Sequence, residues 1–147
     1  MRVFLDTNVL ASAATTRGLC ADVLRDVIAR HELLLSDQVL SELGRVLRSK
    51  FGEPEELIDR FLWLLQQDAV RVEPAVLPQV DLQDQDDLRI LGAAVQGGAE
   101  VLVTGDKELL ALGGVEGLVI LSPRQFWERL RTDHRRQSGG RKRRRSR

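Results

Sequence analysis

Four short runs of purely apolar residues constrain this chain more than anything else in it: Val3-Phe4-Leu5, Leu33-Leu34-Leu35, Val101-Leu102-Val103 and Val119-Ile120-Leu121. A strand with one wet face alternates apolar and polar residues, whereas a strand buried on both faces does not. Between the runs lie stretches with helical spacing. Leu19, Val23, Leu24, Val27 and Ile28 mark one face of a helix from Leu19 to His31. A helix is also expected from about Val9. Ser36 is placed to cap another, running to about Ser49, and Pro54 suits the first turn of a helix over Glu53 to Asp68. Val70 to Val72 reads as a short strand and Glu73 to Leu82 as a loop. Asp84 to Gln96 reads as a helix closed by Gly97-Gly98. Ser122-Pro123-Arg124-Gln125 carries the cap, the N1 proline and the N3 glutamine of a capping box, and opens the last helix. Strands alternating with helices predict an α/β fold with a parallel sheet covered on both faces.

At 147 residues the chain has room for one core. No apolar run approaches the roughly 18 residues that span a bilayer, and Asp6-Thr7-Asn8 interrupts the apolar start too early for an export signal. Cys20 is the only cysteine, which excludes an internal disulfide and suits a reducing cytoplasm. The zero net charge is a cancellation. From Arg129 onward lie ten of the 22 basic residues and one of the 22 acids, leaving −9 up to Glu128 and +9 beyond. Ser138-Gly139-Gly140 reads as a linker. Arg141, Lys142, Arg143, Arg144 and Arg145 form a basic run suited to nucleic-acid phosphates. It has no interleaved aromatics, so base stacking is not expected.

Several acids stand where their neighbours are apolar. Asp6 directly follows the first strand, and Asp106 comes three residues after the third apolar run. Ligand sites of open parallel sheets form beyond the carboxyl ends of strands, so the two could converge, although Asp after a strand is also ordinary turn chemistry. Glu42 lies within the stripe of Val39, Leu43 and Val46, where an unpartnered charge is costly. Asp87 lies on the apolar side of its helix and near the N-terminus, with Asp84 and Asp86 as competitors. Together these are hard oxygen donors of the kind that hold Mg2+ or Mn2+. His31, His134 and Cys20 lack the spacing of a Zn2+ site. No phosphate-binding glycine loop is present.

Asp6-Thr7-Asn8, Glu42 within Ser41-Glu42-Leu43, Asp84-Gln85-Asp86-Asp87 and Thr104-Gly105-Asp106 resemble, in this order, the motifs of a PIN-domain nuclease. The subgroup they are most similar to contains the bacterial and archaeal toxins of toxin–antitoxin modules. The resemblance covers about residues 1 to 130. It implies a three-layer α/β/α domain with about five parallel strands, here residues 1–133, while the composition of 134–147 reads as a basic, disordered tail. It also implies a cytoplasmic, Mg2+- or Mn2+-dependent endoribonuclease leaving 5′-phosphate and 3′-hydroxyl ends, restrained by an antitoxin protein. By that resemblance Asp6, Glu42, Asp87 and Asp106 are the metal-site and catalytic acids, with Asn8, Thr104 and Asp86 in support. Gln85 departs from the proline common at its position. Trp63, on the polar side of its helix away from a broad buried face of Leu57, Ile58, Phe61, Leu62, Leu64 and Leu65, is a candidate anchor for an antitoxin or a homodimer. Two other readings compete. One is a PIN-like RNA-binding or interaction protein without turnover. The other is a haloacid-dehalogenase-type phosphatase, which needs a second Asp where this chain has Asn8.

Overall fold

A computed structural model describes residues 1–73 and 77–145, and for residues 140–145 the backbone alone. The elements run β1 (Arg2–Leu5), α1 (Thr7–Thr15), α2 (Leu19–Arg30), β2 (Glu32–Leu35), α3 (Asp37–Ser49), α4 (Glu55–Gln66), β3 (Val70–Arg71) and α5 (Gln85–Gln96). Then follow β4 (Val101–Val103), α6 (Lys107–Leu112), β5 (Gly114–Val115), β6 (Leu118–Leu121) and α7 (Pro123–Arg145). The sheet order is β3-β2-β1-β4-β6-β5. Five strands are parallel and β5 joins β6 antiparallel. The first and third apolar triplets behave as expected, since Val3, Phe4, Leu5, Val101, Leu102 and Val103 are completely buried, whereas Val119 of the fourth is exposed because β6 lies near the sheet edge. Helices α1 to α4 pack on one another, and right-handed crossovers, the rule for parallel strands, would set α5 and α6 on the opposite face of the sheet. The last helix, α7, returns to pack on α2.

Local chemistry explains most boundaries. Ser36 Oγ accepts from the Val39 N–H at 3.2 Å, capping α3. The capping box of α7 is closed on both sides: Ser122 N–H donates to Gln125 Oε1 at 2.9 Å, and Gln125 N–H to Ser122 Oγ at 3.2 Å. Three details depart from the sequence reading. Pro54 is the N-cap of α4 and not its first helical residue. The apolar face of α4 is narrower than its composition suggests: Ile58 and Leu65 are buried, while Leu57 and Leu64 join Trp63 in solvent. Ile28 of α2 is likewise exposed, because α2 meets its neighbours through Val23, Leu24 and Val27.

The helix α7 begins at the carboxyl edge of the sheet and ends beyond the opposite edge. His134 lies 3.7 Å from Asp26, beside the Arg30 and His31 that end α2. The helical backbone passes through Ser138-Gly139-Gly140, where the sequence suggested a linker. Each glycine costs a helix about 1 kcal/mol, but helix-favouring Arg and Lys flank the pair. At 1.5 Å per residue, Arg141 stands about 27 Å along the axis from Pro123. The side chains of Arg141, Lys142, Arg143, Arg144 and Arg145 lie outside the described residues.

Close approach of α5 to the sheet depends on Gly97. A Cβ there would meet Val72 Cγ1 at 2.6 Å and Leu34 Cδ1 at 3.1 Å. Gly98 then turns the chain with φ +69°, in the left-handed region that favours glycine. Gly97→Ala is therefore expected to cost about 1–3 kcal/mol of stability through overpacking. Urea unfolding measures this, and an unchanged midpoint would show that the α5–β2 contact has slack.

Candidate functional site

The strand order reverses between β1 and β4: β2 lies on one side of β1, while the chain returns across the sheet to form β4 on the other. Beyond the carboxyl ends of these two strands α1 and α6 begin, and Asp6 and Asp106 occupy their N-cap positions. The two acids use those positions differently. Asp106 Oδ1 accepts from the N–H groups of Glu108 and Leu109 at 2.9 and 3.1 Å, a regular cap. The Asp6 side chain makes no cap bond of that kind; its Oδ2 instead accepts from Thr104 Oγ1 at 2.5 Å. Thr104 Oγ1 in turn accepts from the Asp106 N–H at 3.0 Å, so one buried hydroxyl links both acids.

The charge of Asp6 is costly where it stands. The residue is 6% exposed, and burial raises its pKa against the hydrogen bond from Thr104 and the N–H groups of Asn8 and Thr7. Asp106 pushes in the same direction. Asp87, half-buried in the first turn of α5, is pushed up to about 6, first by burial and then by the negative charges of Asp106, Asp84, Asp6 and Glu108. Asp6, Asp87 and Asp106 therefore share one electrostatic environment. A cleft of about 500 Å3 opens there, lined by Gln83, Asp84, Asp87, Asp106, Lys107 and Glu108.

The three acids of the 84–87 segment separate by geometry. Asp84 caps α5, its Oδ1 accepting from Asp86 N–H at 2.8 Å and Asp87 N–H at 3.4 Å. Asp86 is exposed and pairs with Arg89 at 3.7 Å. Asp87 lines the cleft with Asp106 and Asp84, makes no cap or ion pair among the described residues, and feels the charges of Asp106 and Asp6. Glu42 does not sit sealed in the core as its stripe suggested. It is half-buried, and Thr7 Oγ1 donates to its Oε2 at 3.0 Å while Gln38 Nε2 donates to its Oε1 at 3.0 Å. It adjoins the other acids through Thr7 and is not among the charges that raise Asp87. Asn8 is exposed, and its side chain makes no hydrogen bond among the described residues. Thr7, Gln38 and Glu108 were given no role from sequence. Gln38 could have been noticed as the residue four before Glu42, hence on the same helix face.

Among the described residues no three His, Cys, Asp or Glu side chains are already drawn into a chelating cluster. The chemistry nevertheless suits a hard divalent cation. The donors are carboxylate oxygens throughout, and the pKa values of Asp6 and Asp87, raised first by burial and then by neighbouring negative charge, are ones a bound cation would lower.

The sequence profile described as PIN domain matches residues 2–108, a span holding Asp6, Glu42, Asp87 and Asp106. Curated protein sequences give no match. Among solved structures the chain is similar to VapBC2 from Rickettsia felis, crystallised with a DNA fragment from its promoter. That likeness has a TM-score of 0.61 and 17% identity, over 83% of this chain and 98% of that one. It is also similar to VapBC-1 from nontypeable Haemophilus influenzae, with TM-score 0.59 and 21% identity over 84% and 99%. Mycobacterium tuberculosis VapC20, described as a sarcin-ricin-loop-cleaving toxin, gives TM-score 0.58 and 15% identity over 78% and 97%. At these identities the likeness is one of fold.

Proposed function

The chain belongs to the PIN-domain family, and we propose that it is a divalent-metal-dependent endoribonuclease serving as the toxin of a toxin–antitoxin pair in the cytoplasm. One observation carries the reading: the Thr104 hydroxyl links Asp6 and Asp106 at the ends of β1 and β4, and the negative charges of both help push Asp87 to about 6. Asp6, Asp87 and Asp106, with Glu42 beside them, would hold Mg2+ or Mn2+. When bound, the ion supplies the Lewis acidity that phosphodiester hydrolysis requires.

The chain's own groups do the rest. Thr104 holds Asp6 in one orientation, as ligand carboxylates require. Asp106 commits Oδ1 to capping α6, and its other oxygen has no hydrogen bond among the described residues. Asp87, pushed up by burial and by the surrounding negative charges, would be held ionised by a bound cation and would present a carboxylate oxygen to it. Lys107, exposed on the cleft, offers an ammonium group to a substrate phosphate. Asn8 and Asp86, both exposed, border this set.

Partners follow from the surface. VapC20, one of the similar structures, is described as a toxin, and this chain offers a protein partner Leu57, Trp63 and Leu64 on α4, with Trp63 60% exposed. An antitoxin would cover that face, and a second copy is the other occupant it suits. The basic residues 141 to 145, in the 134–147 tail beyond the 1–133 body, would bind RNA phosphates far from the cleft, given the course of α7. Deleting residues 139–147 is expected to weaken RNA binding most at low salt, because fewer counterions are released. Equal affinity of both forms across a salt series would refute that role.

Incubating the full chain with a mixed RNA pool tests the main reading. Cleavage that requires Mg2+ or Mn2+ and stops with EDTA supports it. RNA binding without cleavage under any metal condition favours the non-catalytic interaction protein.

A further inference from the structure

We infer that Gln38 is a positioning residue for the acid site, tying the Glu42 carboxylate of α3 to the acid-bearing first turn of α5. This rests on the metal-dependent reading above and deepens it. The side-chain amide of Gln38 has two N–H hydrogens, and two acceptors lie within reach of its nitrogen: Glu42 Oε1 at 3.0 Å and the Asp86 carbonyl at 3.2 Å. Among the described residues the second is the only hydrogen bond from an α3 side chain to α5. It joins the two helical layers across the carboxyl edge of the sheet, and the residue after Asp86 is Asp87.

Thr7 completes the arrangement. Its hydroxyl, buried next to Asp6, donates to Glu42 Oε2 at 3.0 Å. Each Glu42 oxygen thus accepts one hydrogen bond and keeps a lone pair free. The carboxylate is held between the element that carries Asp6 and the element that carries Asp87. A free Glu side chain would sample several rotamers; the two donors prevent this. Gln38 touches neither substrate nor ion in this role. It sets where Glu42 stands relative to Asp87.

Gln38→Met keeps length and removes both donors. With the full-length protein, Mn2+ affinity read from the free-ion EPR signal is expected to weaken about 10-fold, the lower end for losing an outer hydrogen-bond partner. The melting temperature in EDTA should stay near wild type, because the residue is only half-buried and Met keeps its bulk. In a Glu42→Gln background the same substitution should have no further effect on Mn2+ affinity, since its action passes through Glu42. Unchanged Mn2+ affinity in Gln38→Met, or an equal loss in the Glu42→Gln background, would overturn the inference. If wild type binds no Mn2+, or Asp6→Asn binds it equally well, the metal-site reading itself falls and takes this inference with it.

Discussion

Asp6→Asn is expected to reduce metal-dependent RNA cleavage about 10²- to 10⁴-fold while leaving the protein folded. The size follows from the role. A carboxylate that helps hold the cation contributes several kcal/mol to stabilising charge in the transition state, and each 1.36 kcal/mol is tenfold in rate. The retained fold follows from the surroundings. Asp6 is 6% exposed, and its hydrogen bond comes from the Thr104 hydroxyl. The carbonyl oxygen of Asn accepts the same bond, and the substitution has almost the same volume. It also removes a charge whose burial raises its pKa. Stability in EDTA should therefore equal or exceed that of wild type. Cleavage rates and melting curves on the same preparations check both halves. Full activity in Asp6→Asn would remove this acid from the chemistry, and an unfolded variant would show that its charge is structural.

What could be read in the sequence, and what could not, divides along physical lines. The central strands were legible because Val3-Phe4-Leu5 and Val101-Leu102-Val103 are buried on both faces, and such burial leaves no polar alternation. The meeting of Asp6 with Asp106 was legible because strand order and strand ends suffice to place them. Asp87 could be favoured over Asp84 and Asp86 from its position on the apolar side of α5. The structure gives Asp84 the cap and leaves Asp87 in the cleft with Asp106. The hairpin partner β5 was not legible, since two residues at a sheet edge carry no periodicity. Nor was α6, six residues long and started by the same Asp106 that borders the cleft. The exposure of Leu57 and Leu64 escaped because spacing reports which residues are apolar, whereas burial depends on which neighbours arrive. Gln38 escaped for a related reason: its second partner is 48 residues away on another helix.

In EDTA the stability of the wild-type protein is expected to carry a contribution from Asp87 that is lost as pH rises from about 4 to about 6. The folded-state pKa of this residue, about 6, lies above its ordinary 3.8. Between those values the folded protein binds more protons at this site than the unfolded chain, and stability then falls with pH. Two pKa units would amount to about 3 kcal/mol in full. Solvent around the half-exposed carboxyl screens that figure to about 1 kcal/mol. Asp87→Asn removes the loss, so above pH 6 in EDTA it should melt about 2–4 °C higher than wild type, and near pH 4 the two should coincide. Excess Mn2+ should reverse the order at pH 7.5. At about 100 times its Kd, an ion that binds the folded state alone adds about 2.7 kcal/mol to wild type, and less to a variant short of one ligand. Melting curves with EDTA and with Mn2+, at pH 4, 6 and 7.5, measure all of this. The sign discriminates between roles. An Asp that merely caps a helix has its charged form stabilised, and replacing it lowers stability at neutral pH. An Asp held among like charges in wait for a cation behaves in the opposite way. Lower stability of Asp87→Asn in EDTA at pH 7.5 would therefore contradict the cation-site assignment of this residue, whatever the RNA assay reports.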